Sequence, residues 1–321
     1  MSGVDSPLLL RMRDFADFMI GCVGPILIFL ATVLISGIAF IHFTALVPYY
    51  SPEISVVYLL HMVWSVWLLF NIGFNYYKVV TTPPGCTADI PQELYSEDLL
   101  VQIRTEDAPQ RGTGFSRWCK SCKRVKPPRS HHCHICKQCV LRMDHHCPWV
   151  GRCVGMHNHK FFFLFMFYLW LACVWVFPLS LYPLYMADIT AWWGDEITIQ
   201  TSMLLAFGLT LSISAALGGL MFWHLYLIGT NQTTIEFYYN NQMKKIYKGR
   251  GQVYQNEYDL GWRKNWQMFF GIESASPIWL AWLIPSTSLP HSWGMDGSSF
   301  PLRNGEGDSY AHMNNNVDHL V

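Results

Sequence analysis

Residues 119–153 read CKSCKRVKPPRSHHCHICKQCVLRMDHHCPWVGRC, and seven of the chain's ten cysteines lie within them. Such clustering points to metal binding more than to scattered disulfides. Written as potential ligands, the stretch contains one pattern twice, the second copy displaced by 14 residues. The first copy is Cys119-x2-Cys122-x9-His132-x6-Cys139, and the second is Cys133-x2-Cys136-x9-His146-x6-Cys153. Three thiolates and one imidazole are the ligand set of a closed tetrahedral structural zinc site, so two zinc ions are expected. Only the period selects His132 over its neighbours His131 and His134. The repeat also leaves one thiol over. Moving His132-Cys133 forward by 14 residues gives His146-Cys147, but a third copy would need cysteine at position 150, where Val150 stands. Cys147 is therefore expected to be a free, positioned thiol. A thiol attacks as its thiolate, and a neighbouring histidine lowers the barrier to forming it. His145 is the natural base, with Asp144 placed to orient the imidazole, provided that the chain bends enough to bring adjacent residues together.

The flanking sequence places this module at a membrane. Of 321 residues 51% are hydrophobic and only 14% charged, against about 25% charged in an ordinary soluble domain. The formal net charge is zero, which leaves no global field to attract nucleic acid. The hydrophobic content excludes a mainly disordered chain. Four windows are long and apolar enough to cross a bilayer: Phe18–Ile41, Val56–Tyr77, Phe161–Ala187 and Met203–Ile228. The connections 42–55 and 188–202 contain no Lys or Arg, whereas residues 79–160 contain twelve and the tail after Ile228 seven. Short positive segments stay cytosolic, so both termini and the cysteine-rich loop are expected in the cytosol. Tyr49, Tyr50, Trp192 and Trp193 fall at the opposite ends of the spans, where aromatic rings favour the headgroup boundary. The apolar N-terminal stretch is too long for a signal peptide and is expected to remain as a span. Asn231-Gln232-Thr233 matches the glycosylation pattern, but on the cytosolic side it is a chance match.

Within the spans, His61 beside Trp64 and Trp67 is read as a packed histidine, and the small residues Ser212 to Gly219 as a surface for close helix approach. After Gly271 the run Ile278–Ile284 is too short to span and is expected to lie at the interface or plug the bundle. The Gly-, Ser- and Asn-rich remainder to Val321 is expected to be disordered.

Asp144-His145-His146-Cys147 and their surroundings resemble the DHHC family of protein S-acyltransferases. The resemblance includes Lys126-Pro127, Arg129, Asn158 and Phe162, and covers roughly Phe18 to Gly271. Thr233-Thr234-Ile235-Glu236 is similar to the family's Thr-Thr-x-Glu motif, and Asn256, Tyr258 and Asn265–Gly271 to its C-terminal segment. Pro83-Pro84-Gly85 departs from the family's Asp-Pro-Gly.

The resemblance implies an α-helical integral membrane protein with four transmembrane helices and a cytosolic module of short β-hairpins binding two zinc ions. It implies a ping-pong palmitoyltransferase: Cys147 takes a long-chain acyl group from acyl-CoA, and a cysteine of a cytosol-facing protein substrate removes it. His145 would act as base, Asp144 as its orienting group, and Thr233 or Thr234 would steady the site. Glu236 and Asn265 would tie the tail to the module. Lys126, Arg129 and His131 are the candidates for the CoA phosphates, on the ground that charged donors suit phosphate oxygens. Chain-length choice is expected to follow cavity shape, with third-span residues such as Ala172 as a ruler. The endoplasmic reticulum or Golgi is the family-typical compartment. The expected divisions are 1–17, spans within 18–78, the cytosolic loop 79–160 with its zinc module at about 117–160, spans within 161–228, a cytosolic segment 229–271 and the tail 272–321. Two other readings stay open on sequence: a membrane scaffold in which Cys147 is incidental, and a hydrolase that passes the acyl group to water.

Overall fold

The computed structural model describes residues 7–51, 53–91, 100, 103, 117–186, 197–272, 278–283, 297–303 and 307–308. Trp192, Trp193 and the tail from residue 309 lie outside the described residues. The chain divides into two compact units, one of Ile28–Lys78 and Phe161–His224, the other of Met1–Leu27, Val79–Lys160 and Leu225–Val321.

Four helical stretches are long and apolar enough to cross a membrane: Phe15–Tyr50, Val56–Thr81, His159–Tyr185 and Gln200–Gly229. The first joins α1 (Pro7–Ile41), a π-helical turn (His42–Leu46) and α2 (Val47–Tyr50). It outruns the window expected to stop at Ile41 because His42 Nε2 shares a 2.8 Å hydrogen bond with Ser65 Oγ. That bond lets a polar ring stay within the apolar helix at little cost. α3 (Val56–Thr81), α4 (His159–Met186) and α5 (Ile197–Gly229) carry the other three spans. Large apolar side chains stand open on these helices, Phe29 at 71% and Val63 at 68% exposure. Such surfaces belong against lipid, and the chain is a multi-pass membrane protein.

In the unit of Ile28–Lys78 and Phe161–His224, Leu46, Val176 and Met203 form a buried cluster. Tyr50 donates to the Leu179 carbonyl at 2.7 Å, and Trp67 meets Tyr168 edge-on. His61 packs edge-on against His42 and Trp175, at 5.1 and 5.6 Å. Among the small residues of the fourth span, Gly218 faces the Trp170 indole, where an added Cβ would come within 2.9 Å of Nε1.

The cysteine-rich stretch of the second unit contains three antiparallel hairpins. β1 (Trp118–Cys119) pairs with β2 (Arg124–Val125), β3 (His131–Cys133) with β4 (Gln138–Val140), and β5 (His145–Cys147) with β6 (Arg152–Val154). Their registers superimpose under the sequence repeat: Cys119 lies opposite Arg124, Cys133 opposite Gln138 and Cys147 opposite Arg152. The turns repeat as well, with Lys123, Lys137 and Gly151 all left-handed at φ 52°, 54° and 65°. Strands of two or three residues bury too little to fold alone, so these hairpins need support beyond their own packing.

The Pro83-Pro84-Gly85 segment docks on this module through its backbone. Its Gly85 and Pro84 carbonyls accept from the Leu141 and His157 amides at 3.0 and 3.1 Å. Gly85 has φ 85° and sits against the His157 ring, so the glycine has a local steric reason.

Downstream lie α6 (Thr234–Gly249), α7 (Trp262–Phe270) and α8 (Ile278–Leu283). Asn265 Nδ2 donates to the Gly229 carbonyl at 2.7 Å and Asn256 Nδ2 to that of Thr230 at 2.8 Å. These amides satisfy carbonyls that the C-terminal end of α5 leaves unpaired. The run expected as an interfacial or plugging segment is α8, whose Trp282 packs against Trp266 and Phe270. Part of the tail expected to be disordered is folded: β7 (Phe300–Pro301) pairs with β8 (Gly307–Asp308). Phe300 and Leu302 are buried with Leu141, Met156 and Tyr258. Average composition misses this because two apolar side chains in a polar stretch gain their burial from a distant surface.

Candidate active site and metal clusters

The interleaving of the two metal-ligand sets follows from strand geometry. Successive side chains on a strand point to opposite faces, so in β3 His132 faces one way and Cys133 the other. Cys119, Cys122, His132 and Cys139 gather their ligand atoms within 4.8 Å of one another, as do Cys133, Cys136, His146 and Cys153. His132 Nδ1 lies 3.6, 3.3 and 3.7 Å from the sulfurs of Cys119, Cys122 and Cys139. His146 Nδ1 lies 3.7, 3.3 and 3.6 Å from those of Cys133, Cys136 and Cys153. A tetrahedron with metal–sulfur bonds of about 2.3 Å and metal–nitrogen bonds of about 2.0 Å has S···N edges of about 3.6 Å. Both clusters therefore fit one metal ion each. They coincide residue for residue with the two copies of the repeat, while His134 is exposed and His131 is buried outside either group.

Each strand thus sends its histidine back to one cluster and its cysteine forward to the next. In β5, His146 goes back to the second cluster, and Cys147, pointing to the other face, belongs to no potential metal-ligand group among the described residues. Cys147 is buried. His145 lies two residues earlier on the same strand face, which puts its ring beside the Cys147 side chain. Asp144, just before the strand, places Oδ2 2.7 Å from His145 Nδ1. The bend needed to use adjacent residues is therefore the entry into β5, fixed by the Asp144 amide donating to the Val154 carbonyl at 2.9 Å.

The Asp144 carboxylate is held from the other side by the first turn of α6. Thr234 donates to Oδ1 from its amide and to Oδ2 from its hydroxyl, both at 2.9 Å. A helix N-terminus favours negative charge. For His145, burial alone would lower the pKa, but the hydrogen bonds to Asp144 and Cys147, with their charges, outweigh it and raise it to about 9. The two neighbours thus favour the protonated ring, the form that follows uptake of a proton.

Thr233 caps α6 in a reciprocal capping box with Glu236. Glu236 also takes 2.7 Å hydrogen bonds from Arg129 Nε and Nη2. Burial pushes the Glu236 carboxyl up, yet the Arg129 guanidinium, Arg142 and the Thr233 amide together hold it below its ordinary value. Removing either partner of a buried pair strands the other, at a cost of about 3–5 kcal/mol. Asn231 Oδ1 accepts from Arg129 and from Arg142, at 3.2 and 3.3 Å. The asparagine of the apparent glycosylation pattern is thus a buried hub. Arg142 is brought down to about 10 by burial and by Arg129.

The three residues expected at the CoA phosphates do not share an open face. Arg129 is fully buried and committed to Glu236 and Asn231, with its Cζ 4.3 Å from the Tyr258 ring centroid and 5.2 Å from that of Phe300. Burial lowers His131 to about 4, so it is neutral near pH 7. Lys126 is half-buried. Sequence reading missed Arg142, Asn231 and Phe300. Asn231 stands two residues before the Thr-Thr-x-Glu stretch, and that proximity was the available signal.

The turn after Cys147 touches the first membrane-capable helix. A Cβ at Gly24 would lie 3.0 Å from Gly151 Cα and 3.8 Å from the Pro148 carbonyl oxygen.

Comparison with known proteins places this geometry. The family described as DHHC palmitoyltransferase matches residues 112–241. The chain is 34% identical to palmitoyltransferase ZDHHC16 of Mus musculus over 291 residues, covering 87% of this chain and 75% of the relative. It is 33% identical to palmitoyltransferase ZDHHC16 of Homo sapiens, covering 87% and 76%. A probable protein S-acyltransferase 16 of Arabidopsis thaliana is 39% identical, covering 67% and 72%. The chain belongs to the DHHC palmitoyltransferase family and is a protein S-acyltransferase.

Proposed function

We propose that Cys147 takes a long-chain fatty acyl group from acyl-CoA and passes it to cysteine side chains of cytosol-facing protein substrates. The observation that carries this reading is the position of Cys147: it occupies the strand end that Cys133 occupies one hairpin earlier, it belongs to neither Cys3His cluster, and it shares a strand face with a histidine held by Asp144. His145 removes the thiol proton, and the Cys147 sulfur attacks the acyl carbonyl. The bond from carbonyl carbon to the CoA sulfur breaks, and CoA leaves as its thiol with the proton from His145. In the second half, His145 takes the proton of a substrate cysteine, whose sulfur attacks the thioester and releases Cys147. Asp144 keeps Nδ1 of the imidazole engaged, so that the other nitrogen faces the sulfur.

Zinc suits both Cys3His sets and would supply rigidity, not chemistry. Lys126, the least buried of the three expected phosphate contacts, is the one we retain. The fully paired Arg129 and the neutral His131 are better explained as parts of the interior. The Gly24–Gly151 approach supports a site at the bilayer face, where an acyl chain stays in apolar surroundings while CoA phosphates stay in water. The charge asymmetry of the loops supports cytosolic termini, and membership of the family supports an endomembrane such as the endoplasmic reticulum or Golgi.

Incubation with labelled acyl-CoA tests the reading. The protein should acquire a hydroxylamine-sensitive label that persists until a protein acceptor is added and is missing from Cys147→Ser. Label retained in that variant would falsify the nucleophile assignment. Release of free fatty acid at the same rate without acceptor would favour the hydrolase.

A further inference from the structure

Residues 297–303 lie far along the chain from the catalytic strand, yet they end on the charge network that supports it. Gly297, at φ 91°, sits so close to Leu141 that a Cβ would come within 2.6 Å of Cδ1. Phe300 and Leu302 are buried. The Arg303 amide donates to the Glu257 carbonyl at 2.8 Å. The Phe300 ring meets Tyr258 at 83°, and together they cover the Arg129 guanidinium.

From Arg129 a continuous set of short contacts runs to His145. Arg129 holds both Glu236 oxygens at 2.7 Å. Glu236 Oε2 accepts from the Thr233 amide at 2.8 Å, which closes the first turn of α6. Thr234 in that turn grips both oxygens of Asp144, and Asp144 grips His145. None of these side chains except Asp144 and His145 has a place in the acyl transfer itself. Their arrangement fixes where the Asp144 carboxylate points. A charged pair of this kind keeps its geometry only while water is excluded, because water competes for every one of its hydrogen bonds.

We propose that the segment 297–303 is a strap that positions the catalytic dyad, with Phe300 as its positioning residue: it seals Arg129 against Tyr258 and so fixes the α6 N-terminus that aims Asp144 at His145. The strap rests on the assignment of Cys147, His145 and Asp144 made above. It adds a device from a part of the chain whose composition predicts disorder. It also gives Arg129 a defined task, since a guanidinium with this many internal partners serves the protein's own carboxylates.

The test uses the full chain in membranes or detergent, comparing wild type, Phe300→Ala and Phe300→Leu. The readout is the rate of thioester formation at increasing palmitoyl-CoA, together with metal content. Loss of the seal misdirects the base without touching the donor, so Phe300→Ala should lower the limiting rate about 10- to 100-fold. Its half-saturating palmitoyl-CoA concentration should not change, and it should still carry about two metal ions per chain, one for each Cys3His cluster. Phe300→Leu, which keeps an apolar cover, should recover most of the rate. A full rate in Phe300→Ala overturns the proposal, as does a loss in both variants that tracks loss of bound metal, because the segment is then only structural. Absence of a thioester on wild-type Cys147 sinks the functional reading itself, which distinguishes that failure from the failure of the strap.

Discussion

The second and third hairpins of the metal module have the same register, the same left-handed turn position and the same His-His-Cys strand. His131 and His145 are equivalent in the repeat, yet their proton affinities lie on opposite sides of the ordinary value, at about 4 and about 9. Both rings lose solvent. The residue before each ring differs: Ser130 spends its hydroxyl on the Pro127 carbonyl at 2.7 Å, whereas Asp144 faces His145 at the same distance. The cysteines differ in the same sense, since Cys133 joins Cys136 in a cluster and Cys147 has Val150 at the corresponding place. One knuckle of a zinc-type repeat, emptied of its cluster and given a carboxylate, has what a nucleophile needs.

The largest effect should come from confusing the two cysteines. Cys133→Ser breaks a ligand set, and structural zinc contributes about 10–16 kcal/mol to small modules. That variant should lose metal, cooperative unfolding and acyl loading together. Cys147→Ser should keep its metal and its unfolding transition while losing only the label. Metal analysis beside a thermal melt checks both, and equal metal loss in the two variants would show that Cys147 is a ligand after all.

Next in size is a substitution that makes the third hairpin like the second. Asp144→Ser removes the anion that raises His145 and the acceptor that Thr234 holds. Positioned general-base help is worth about 10²–10⁴ in rate, and acyl loading should fall by that order while metal content stays unchanged. A drop of only a few-fold, read as single-turnover thioester formation, would mean that Asp144 is not what separates the two hairpins.

The same comparison explains how much of the site was legible in the sequence. The spacing of Cys119 to Cys153 is a one-dimensional record of a repeating hairpin, so the two Cys3His groups, their period and the place of Cys147 outside both could be read directly. The spans were legible because a bilayer demands length and apolarity, although the first runs on past His42 through a bond to Ser65 that no window average contains. The fate of Arg129 was not legible. Its partners Glu236, Tyr258 and Phe300 are more than a hundred residues away, and residue type alone suits a guanidinium equally to phosphate or to carboxylate. Phe300 was hidden for a related reason, since local composition reports what a segment can bury by itself and not what a distant surface will cover.

The finest contrast between the hairpins is the hydroxyl of Thr234. The Ser130 hydroxyl donates to the Pro127 carbonyl, whereas Asp144 is held by both the amide and the hydroxyl of one residue. In Thr234→Val the amide at 2.9 Å from Oδ1 remains, so the carboxylate keeps its place at the α6 N-terminus and loses one donor to Oδ2. Oδ2 is also the oxygen that faces His145, so the freed lone pair lets the carboxylate rotate about its remaining hold. Losing a single hydrogen bond costs about 1 kcal/mol, equivalent to a rate loss of about fivefold. Thr234→Ser, which keeps the donor, should load acyl groups close to the wild-type rate. If serine were as slow as valine, the methyl packing of Thr234 and not its hydroxyl would be what sets Asp144.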